Sequence, residues 1–160
     1  MISPYFDLVT DLEGSLDLAR RTLEQCRELG APLVRVFTRG GDSAKASTTV
    51  WRAVVAGLKQ LCELAAAQGV GMAMETHGGH LHDTTASTLR LIRQVGMDNL
   101  YVNLDIFNLY SIGEDPIRAL KRLLPWVRIL HLKNAVWQEN KWQSGIPLGS
   151  GAMDYAAFLK

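Results

Sequence analysis

The chain has 160 residues, 48% of them apolar, with 17 basic and 16 acidic side chains and a net charge of +1. That length supports one ordinary core, and near-neutrality removes the electrostatic case for a nucleic-acid or anionic-membrane partner. No apolar run approaches the roughly 18 residues of a membrane helix, and the N-terminus lacks the basic and apolar regions of a signal peptide. A single cytoplasmic unit over residues 1–160, acting on small polar molecules, is therefore expected.

Along the chain, helical and extended patterns alternate. Ser15 is placed to cap a helix in which Leu16, Ala19, Leu23 and Cys26 recur at steps of three and four, closed by Gly30. Leu33-Val-Arg-Val-Phe37 reads as a short β-branched strand running into the Gly40-Gly41 loop. A second helix starts near Ser47 to Thr49, turns Val50, Val54, Leu58, Leu61, Cys62 and Ala65 inward, and stops at Gly69. Cys26 and Cys62 lie on apolar helix faces without Cys-x-x-Cys spacing, the pattern of reduced, buried thiols. Val70 to Glu75 is the next strand. After the His77-Gly-Gly-His80 loop, Thr84 or Thr85 caps a helix with Leu89, Ile92 and Val95 inward. Leu100 to Asp105 follows as a strand, then Asp115-Pro116 opens a helix with Ile117, Leu120 and Leu124 inward. Val127 to His131 is the fourth strand. Past Gly149-Ser-Gly151, Asp154 caps a last helix with Tyr155 and Phe158, reading on to Lys160.

Strand and helix in alternation at this spacing argue for a parallel sheet with helical crossovers. A (β/α)₈ barrel repeats about every 31 residues and gathers its active site at the C-terminal strand ends. The steps of 30 and 26 residues between Glu75, Asp105 and His131, each ending an apolar run, fit that repeat. The expected fold class is thus α/β of the (β/α)₈ TIM-barrel type, with about four βα units present. A doubly wound sheet competes, but the Gly-rich nucleotide turn is missing. Four strands leave two open edges, so the chain is expected either to be part of a longer polypeptide or to assemble as a homo-oligomer.

Side-chain alternation puts Tyr101, Asn103 and Asp105 on one face of their strand, Glu75 with Ala73 and Gly71, and His131 with Ile129 and Lys133. Neighbouring strands lie about 4.8 Å apart, which brings three such tips within reach of one cation. Two carboxylates and an imidazole favour Mn²⁺, Co²⁺ or Mg²⁺, with Zn²⁺ in a catalytic role as an alternative. His77, His80 and His82 sit in a Gly-rich loop rather than on a helix face. Among them His77, two residues past Glu75, is the candidate for substrate contact. Trp137 and Trp142 follow His131 in a loop where an aromatic can stack on a sugar face.

Met-Glu75-Thr-His-Gly-Gly, Asn-Leu-Asp105-Ile-Phe-Asn108, Leu-His131-Leu-Lys133 and Gly149-Ser-Gly151-Ala-Met-Asp154, in that order, resemble the sugar phosphate isomerase/epimerase group with the xylose isomerase-like TIM barrel. The resemblance covers roughly residues 31 to 158, and Ser3-Pro-Tyr5 looks like the exit of a preceding strand. It implies that Glu75, Asp105 and His131 bind a divalent metal from the fifth, sixth and seventh barrel strands, completed by a glutamate on the eighth. It also implies metal-assisted proton transfer through an enediolate, with Glu75 as a proton-carrying carboxylate. Lys133 would hold a substrate carboxylate or phosphate, and Asn108 a substrate hydroxyl.

The eighth-strand partner should fall roughly 25 to 35 residues beyond His131, where Tyr155 to Lys160 reads as helix. The chain thus looks like the central to C-terminal part of a truncated barrel. Asn108 stands where many members carry His, Asn134 where many carry Asp, and Trp137 where ketose epimerases carry Arg, which points away from the sugar 3-epimerase subgroup. The expected function is a metal-dependent sugar or sugar phosphate isomerase/epimerase. The alternatives are a sugar-acid dehydratase of the same family and a non-catalytic half-barrel that pairs with itself or another chain. A related endonuclease barrel would need more histidine ligands and a basic face.

Overall fold

The structure, a computed structural model, describes residues 1–158. Four parallel strands, β1 (Leu33–Val36), β2 (Gly71–Glu75), β3 (Leu100–Asp105) and β4 (Val127–His131), pair in chain order. Between them run α1 (Leu12–Leu29) before β1, α2 (Thr48–Ala66), α3 (Thr85–Val95), and then the short α4 (Ile106–Ser111) followed by α5 (Pro116–Leu123). An antiparallel hairpin of β5 (Asn134–Gln138) and β6 (Lys141–Ile146) follows, and then α6 (Tyr155–Phe158). This is part of a TIM barrel: a run of βα units with helices on one face and the other face open. Ile2 pairs in parallel with Val34 across the free side of β1, as the exit of a preceding strand would. The helix expected to reach Lys160 lies, past Phe158, outside the described residues. No helix among the described residues is long and apolar enough to cross a membrane.

Local chemistry explains most boundaries. Ser47 caps α2 by accepting the Val50 N–H, and Asp115 caps α5 with Pro116 at the first helical position. Thr84 and Ser87 close α3 reciprocally, each side chain taking the other's backbone N–H. Two expectations fail. Asp11, not Ser15, caps α1, accepting the Gly14 N–H; Ser15 lies inside the helix, where its hydroxyl accepts the Asp7 N–H and donates to the Asp7 carbonyl. The acidic cap four residues upstream opens the helix before Ser15 is reached. In α5, Ala119 and Leu123 are the buried residues, while Ile117 and, just past the helix, Leu124 stay 44% and 59% exposed. Both faces have helical spacing, and only docking on the sheet decides between them.

The two faces of the sheet divide the labour. Val34, Val36, Met72, Met74, Leu100, Val102 and Leu104 are all at most 1% exposed and face the helices, meeting Leu23, Leu58, Leu61 and Leu91. The opposite face carries the polar residues in layers across the strands. Arg35 pairs with Ala73 and Ala73 with Tyr101; Glu75 pairs with Asn103 and Asn103 with Ile129; Asp105 pairs with His131. The last pairing depends on a bulge in β4, where Val127 sits opposite Val102 but Ile129 opposite Asn103. If Arg128 were paired in the ladder instead of bulging out, the register would slip by one and Leu130 would take the place of His131 opposite Asp105.

Gly71 makes room at the floor of this face. A Cβ there would stand 2.6 Å from the Tyr101 ring and 2.7 Å from Leu33, too close without displacement. Gly71→Ala is expected to destabilise the fold by about 1–3 kcal/mol, the range for overpacking. In a double-mutant cycle, Gly71→Ala with Tyr101→Ala should be strongly non-additive in denaturant unfolding, because removing the ring removes the clash. Additive losses would show that the ring is not what the added methyl meets.

Candidate metal centre

Glu75, Asp105 and His131 converge at the C-terminal ends of β2, β3 and β4, each offering one donor atom within 4.8 Å of the others. Glu75 is 6% exposed and Asp105 2% exposed, while His131 is half-buried. His131 Nδ1 stands 3.2 Å from Glu75 Oε1. Two donors on one divalent ion stand at most about 4.4 Å apart, from metal–oxygen and metal–nitrogen lengths near 2.0–2.2 Å. Small side-chain adjustments therefore close the trio around a cation. Asn103, beside it, donates its amide to Glu75 Oε2 at 3.3 Å and lies 3.2 Å from His131 Nε2, while its buried Oδ1 has no partner among the described residues. The donor set of two carboxylate oxygens and an imidazole, with an unpaired amide oxygen at its edge, fits a hard or borderline divalent ion.

Each carboxylate also holds a cation from the chain itself. Arg35 of β1 reaches across Ala73, too short to block it, to place its guanidinium 3.0 Å from Glu75 Oε2. Lys133 puts its ammonium 2.9 Å from Asp105 Oδ2 and 2.7 Å from Asn108 Oδ1. Asp105 has a further task. Its Oδ1 accepts the Asn108 N–H and so caps α4, the short helix that the sequence pattern did not reveal. Thr76 joins the strands here: its hydroxyl donates to the Asp105 carbonyl and accepts the Asp105 N–H, while its own carbonyl takes the Asn108 side-chain amide.

His77 is not in the trio. Its Nδ1–H donates to the Gly78 carbonyl at 2.7 Å, which leaves Nε2 as a bare acceptor, and its ring packs edge-on against Phe37 and His80. Asn108 and Lys133 do reach the centre, bonded to each other. Trp137 and Trp142 stand on β5 and β6 rather than in a loop. Glu139 and Asn140, both at positive φ, turn the hairpin, and Trp142 joins Trp137 to Phe107. Asn134 clasps the chain beyond it, donating to the Leu148 and Met153 carbonyls and accepting the Met153 N–H, against the bare backbone of Gly151. Arg35 and Asn103 were not singled out from sequence. The available signal was, for Arg35, a lone polar residue in an otherwise apolar strand and, for Asn103, its place on the same face of β3 as Asp105.

One lip of the site is sewn by histidines. Phe37, His80 and His82 stack in sequence at 4.6 and 5.3 Å between ring centroids. His80 Nδ1 accepts the Arg39 N–H and His82 Nε2 the Thr38 N–H, so both rings serve as neutral acceptors. Burial is the main cause that pushes them down, His80 to about 4 and His82 to about 3 from an ordinary value of 6.5. The unfolded chain takes up these protons between pH 6.5 and those values while the folded chain does not. Stability from this lip is thus fully present above pH 6.5 and falls with acidity, by at most about 1.4 kcal/mol per pH unit for each ring. His82→Gln should flatten the decline of melting temperature between pH 6.5 and 4. Parallel curves for variant and parent would contradict this assignment.

Comparison with known proteins places these features in context. The family model of the xylose isomerase-like TIM barrel matches residues 2–160. The chain is 33% identical over 141 residues to a 3-dehydroshikimate dehydratase from Bacillus anthracis, which covers 84% of this chain and 49% of the relative. The crystal structure of the probable 3-DHS dehydratase AsbF, involved in petrobactin synthesis in Bacillus anthracis, superposes with a TM-score of 0.90 at 27% identity, over 99% of this chain and 64% of that one. A xylose isomerase-like barrel from Mycobacterium smegmatis, solved in complex with magnesium, shares the fold at a TM-score of 0.76 and 18% identity, over 99% of this chain and 60% of that one. The chain spans about half the length of the curated relative it matches. Its match over nearly all its residues shows that the chain belongs to the xylose isomerase-like TIM barrel family.

Proposed function

We propose that this chain carries the metal-binding part of a site that moves a proton on carbon beside a carbonyl, in a small hydroxylated substrate, as isomerases and epimerases do. The observation behind this reading is the convergence of Glu75, Asp105 and His131 donors within 4.8 Å. These residues would hold Mn²⁺, Co²⁺, Mg²⁺ or, in a catalytic role, Zn²⁺. A bound divalent ion supplies Lewis-acid stabilisation of the negative charge that builds on vicinal oxygens as the proton leaves.

The chain's own groups do the rest. Glu75 is the proton-carrying carboxylate: Arg35 fixes its Oε2, and Oε1, beside His131 Nδ1, is the oxygen that the guanidinium leaves open. His77 offers Nε2 as a hydrogen-bond acceptor to a substrate hydroxyl at the lip. Lys133, steadied by Asn108, meets an anionic group of the substrate. In this arrangement Asn108 acts on the substrate through the lysine, since both ends of its amide are already engaged.

A dehydratase reading has its own support in the 33% identity to the 3-dehydroshikimate enzyme and in the two cations at the site, which suit a carboxylate-bearing substrate. Both reactions begin with loss of a proton from carbon; elimination then expels a hydroxyl group.

Calorimetric titration of the purified chain with Mn²⁺, Co²⁺, Mg²⁺ and Zn²⁺ tests the shared premise. One ion per chain is expected, with affinity reduced in Glu75→Gln and Asp105→Asn by more than the roughly 10–100-fold that follows loss of an outer-shell partner. Equal affinity in parent and variants would overturn it. Mass spectrometry in deuterated water then separates the reactions: deuterium uptake by a ketose supports isomerisation or epimerisation, and loss of water from 3-dehydroshikimate supports the dehydratase.

A further inference from the structure

The two cations at the centre differ in how they are held. Arg35 is locked from below: its side chain is 15% exposed, and its guanidinium lies over the Phe37 ring at 4.4 Å and the Tyr5 ring at 5.4 Å. Lys133 lies past the end of β4 with its side chain 37% exposed, on a flexible stem, and among the described residues its ammonium meets only Asp105 Oδ2 and Asn108 Oδ1. An ammonium has three N–H donors, so the contact is partial.

The two Asp105 oxygens are engaged differently. Oδ1 is committed to the α4 cap through the Asn108 N–H at 3.0 Å, and Oδ2 is the atom on which Lys133 sits. A divalent ion that takes Asp105 as a ligand meets the ammonium if it uses that same oxygen, and shares its donor atom with the cap N–H if it uses Oδ1. Asn108 stays in place either way, because its Nδ2 donates to the Thr76 carbonyl at 2.8 Å and its backbone N–H to Asp105. Its Oδ1 is thus a fixed second rest for the ammonium, one side chain away from the metal ligand.

Resting on the metal reading above, we propose that Lys133 is a built-in competitor for the metal centre. With no ion present its ammonium compensates Asp105. When an ion takes Oδ2, charge repulsion turns the ammonium off Asp105 and leaves it on Asn108 alone, with its remaining donors free for an anionic substrate group. The same lysine therefore weakens metal binding and, once displaced, becomes the anion receptor. The specificity this confers is for substrates bearing a carboxylate or phosphate near the chelating oxygens.

The test uses the full chain and two readouts that do not depend on turnover. Lys133→Met keeps the length of the side chain and removes its charge; it should bind Mn²⁺ about tenfold more tightly than the parent, an order-of-magnitude expectation for removing one competing charge beside a ligand. Lys141→Met, a charge change on the exposed β6 strand, should not. In the parent, acetylation of Lys133 by acetic anhydride, followed by peptide mass spectrometry, should speed up on adding Mn²⁺ while labelling of Lys141 stays constant. Lys133→Gln gives a second comparison if the methionine variant folds poorly. Metal affinity equal to or weaker than the parent's in both lysine variants, or Lys133 labelling that is unchanged or slowed by Mn²⁺, would overturn the proposal while the metal site stands. A parent chain that binds no metal would remove the metal reading and this inference together.

Discussion

Two carboxylates buried a few ångströms apart are the constraint on which this molecule is arranged. An ionised carboxylate taken out of water is costly unless it is paired and hydrogen-bonded, and losing one partner of a buried pair costs about 3–5 kcal/mol. Glu75 and Asp105 meet this cost with different means. Glu75 draws a guanidinium from the neighbouring strand and an amide from Asn103. Asp105 draws an ammonium from beyond β4 and the first-turn N–H of the helix that follows it. Each partner is tied in turn: Arg35 by aromatic rings, Lys133 by Asn108, Asn108 by Thr76. The polar network thus reaches from β1 to the segment after β4 and ties the open face of the sheet together.

Parallel pairing makes the network possible. Strands that all run the same way place their C-terminal ends side by side, so a polar residue ending each apolar run meets its counterparts rather than solvent. The bulge at Arg128 adjusts this order where strict alternation would have turned His131 toward the helices. Arg128 itself lies over the Tyr101 ring at 4.3 Å, so the extra residue is packed rather than idle.

How much of this was legible follows from the same physics. Glu75, Asp105, His131 and Lys133 stand out in the chain because an ionisable residue at the end of an apolar strand has few inexpensive places to go. The four strands and three long helices were readable from periodicity, and the starts of α2, α3 and α5 from Ser47, Thr84 and Asp115 as caps. Arg35 was harder to see, since an arginine inside Leu33-Val-Arg-Val-Phe37 reads equally as a solvent-facing residue; only the register with Ala73 turns it toward Glu75. The β5–β6 hairpin lacks strict alternation and turns on Glu139-Asn140 rather than on a glycine pair, so its strands looked like loop. The buried face of α5 was decided by tertiary packing between two patterns of equal spacing.

The charge count at the centre ties metal and substrate together. Glu75 and Asp105 against Arg35 and Lys133 sum to zero, so the site is balanced before any ion arrives. A divalent cation added to these residues leaves two positive charges in a half-buried place, where repulsion is screened less than at the surface. Balance returns only when negative charge enters, whether as an anionic substrate or as a further carboxylate from elsewhere in a complete barrel. Each ligand then lowers the cost of admitting the other, and that coupling is reciprocal by necessity. A site built from a locked arginine and a movable lysine favours the substrate as the balancing charge, because the group that the metal displaces is the one left facing the substrate.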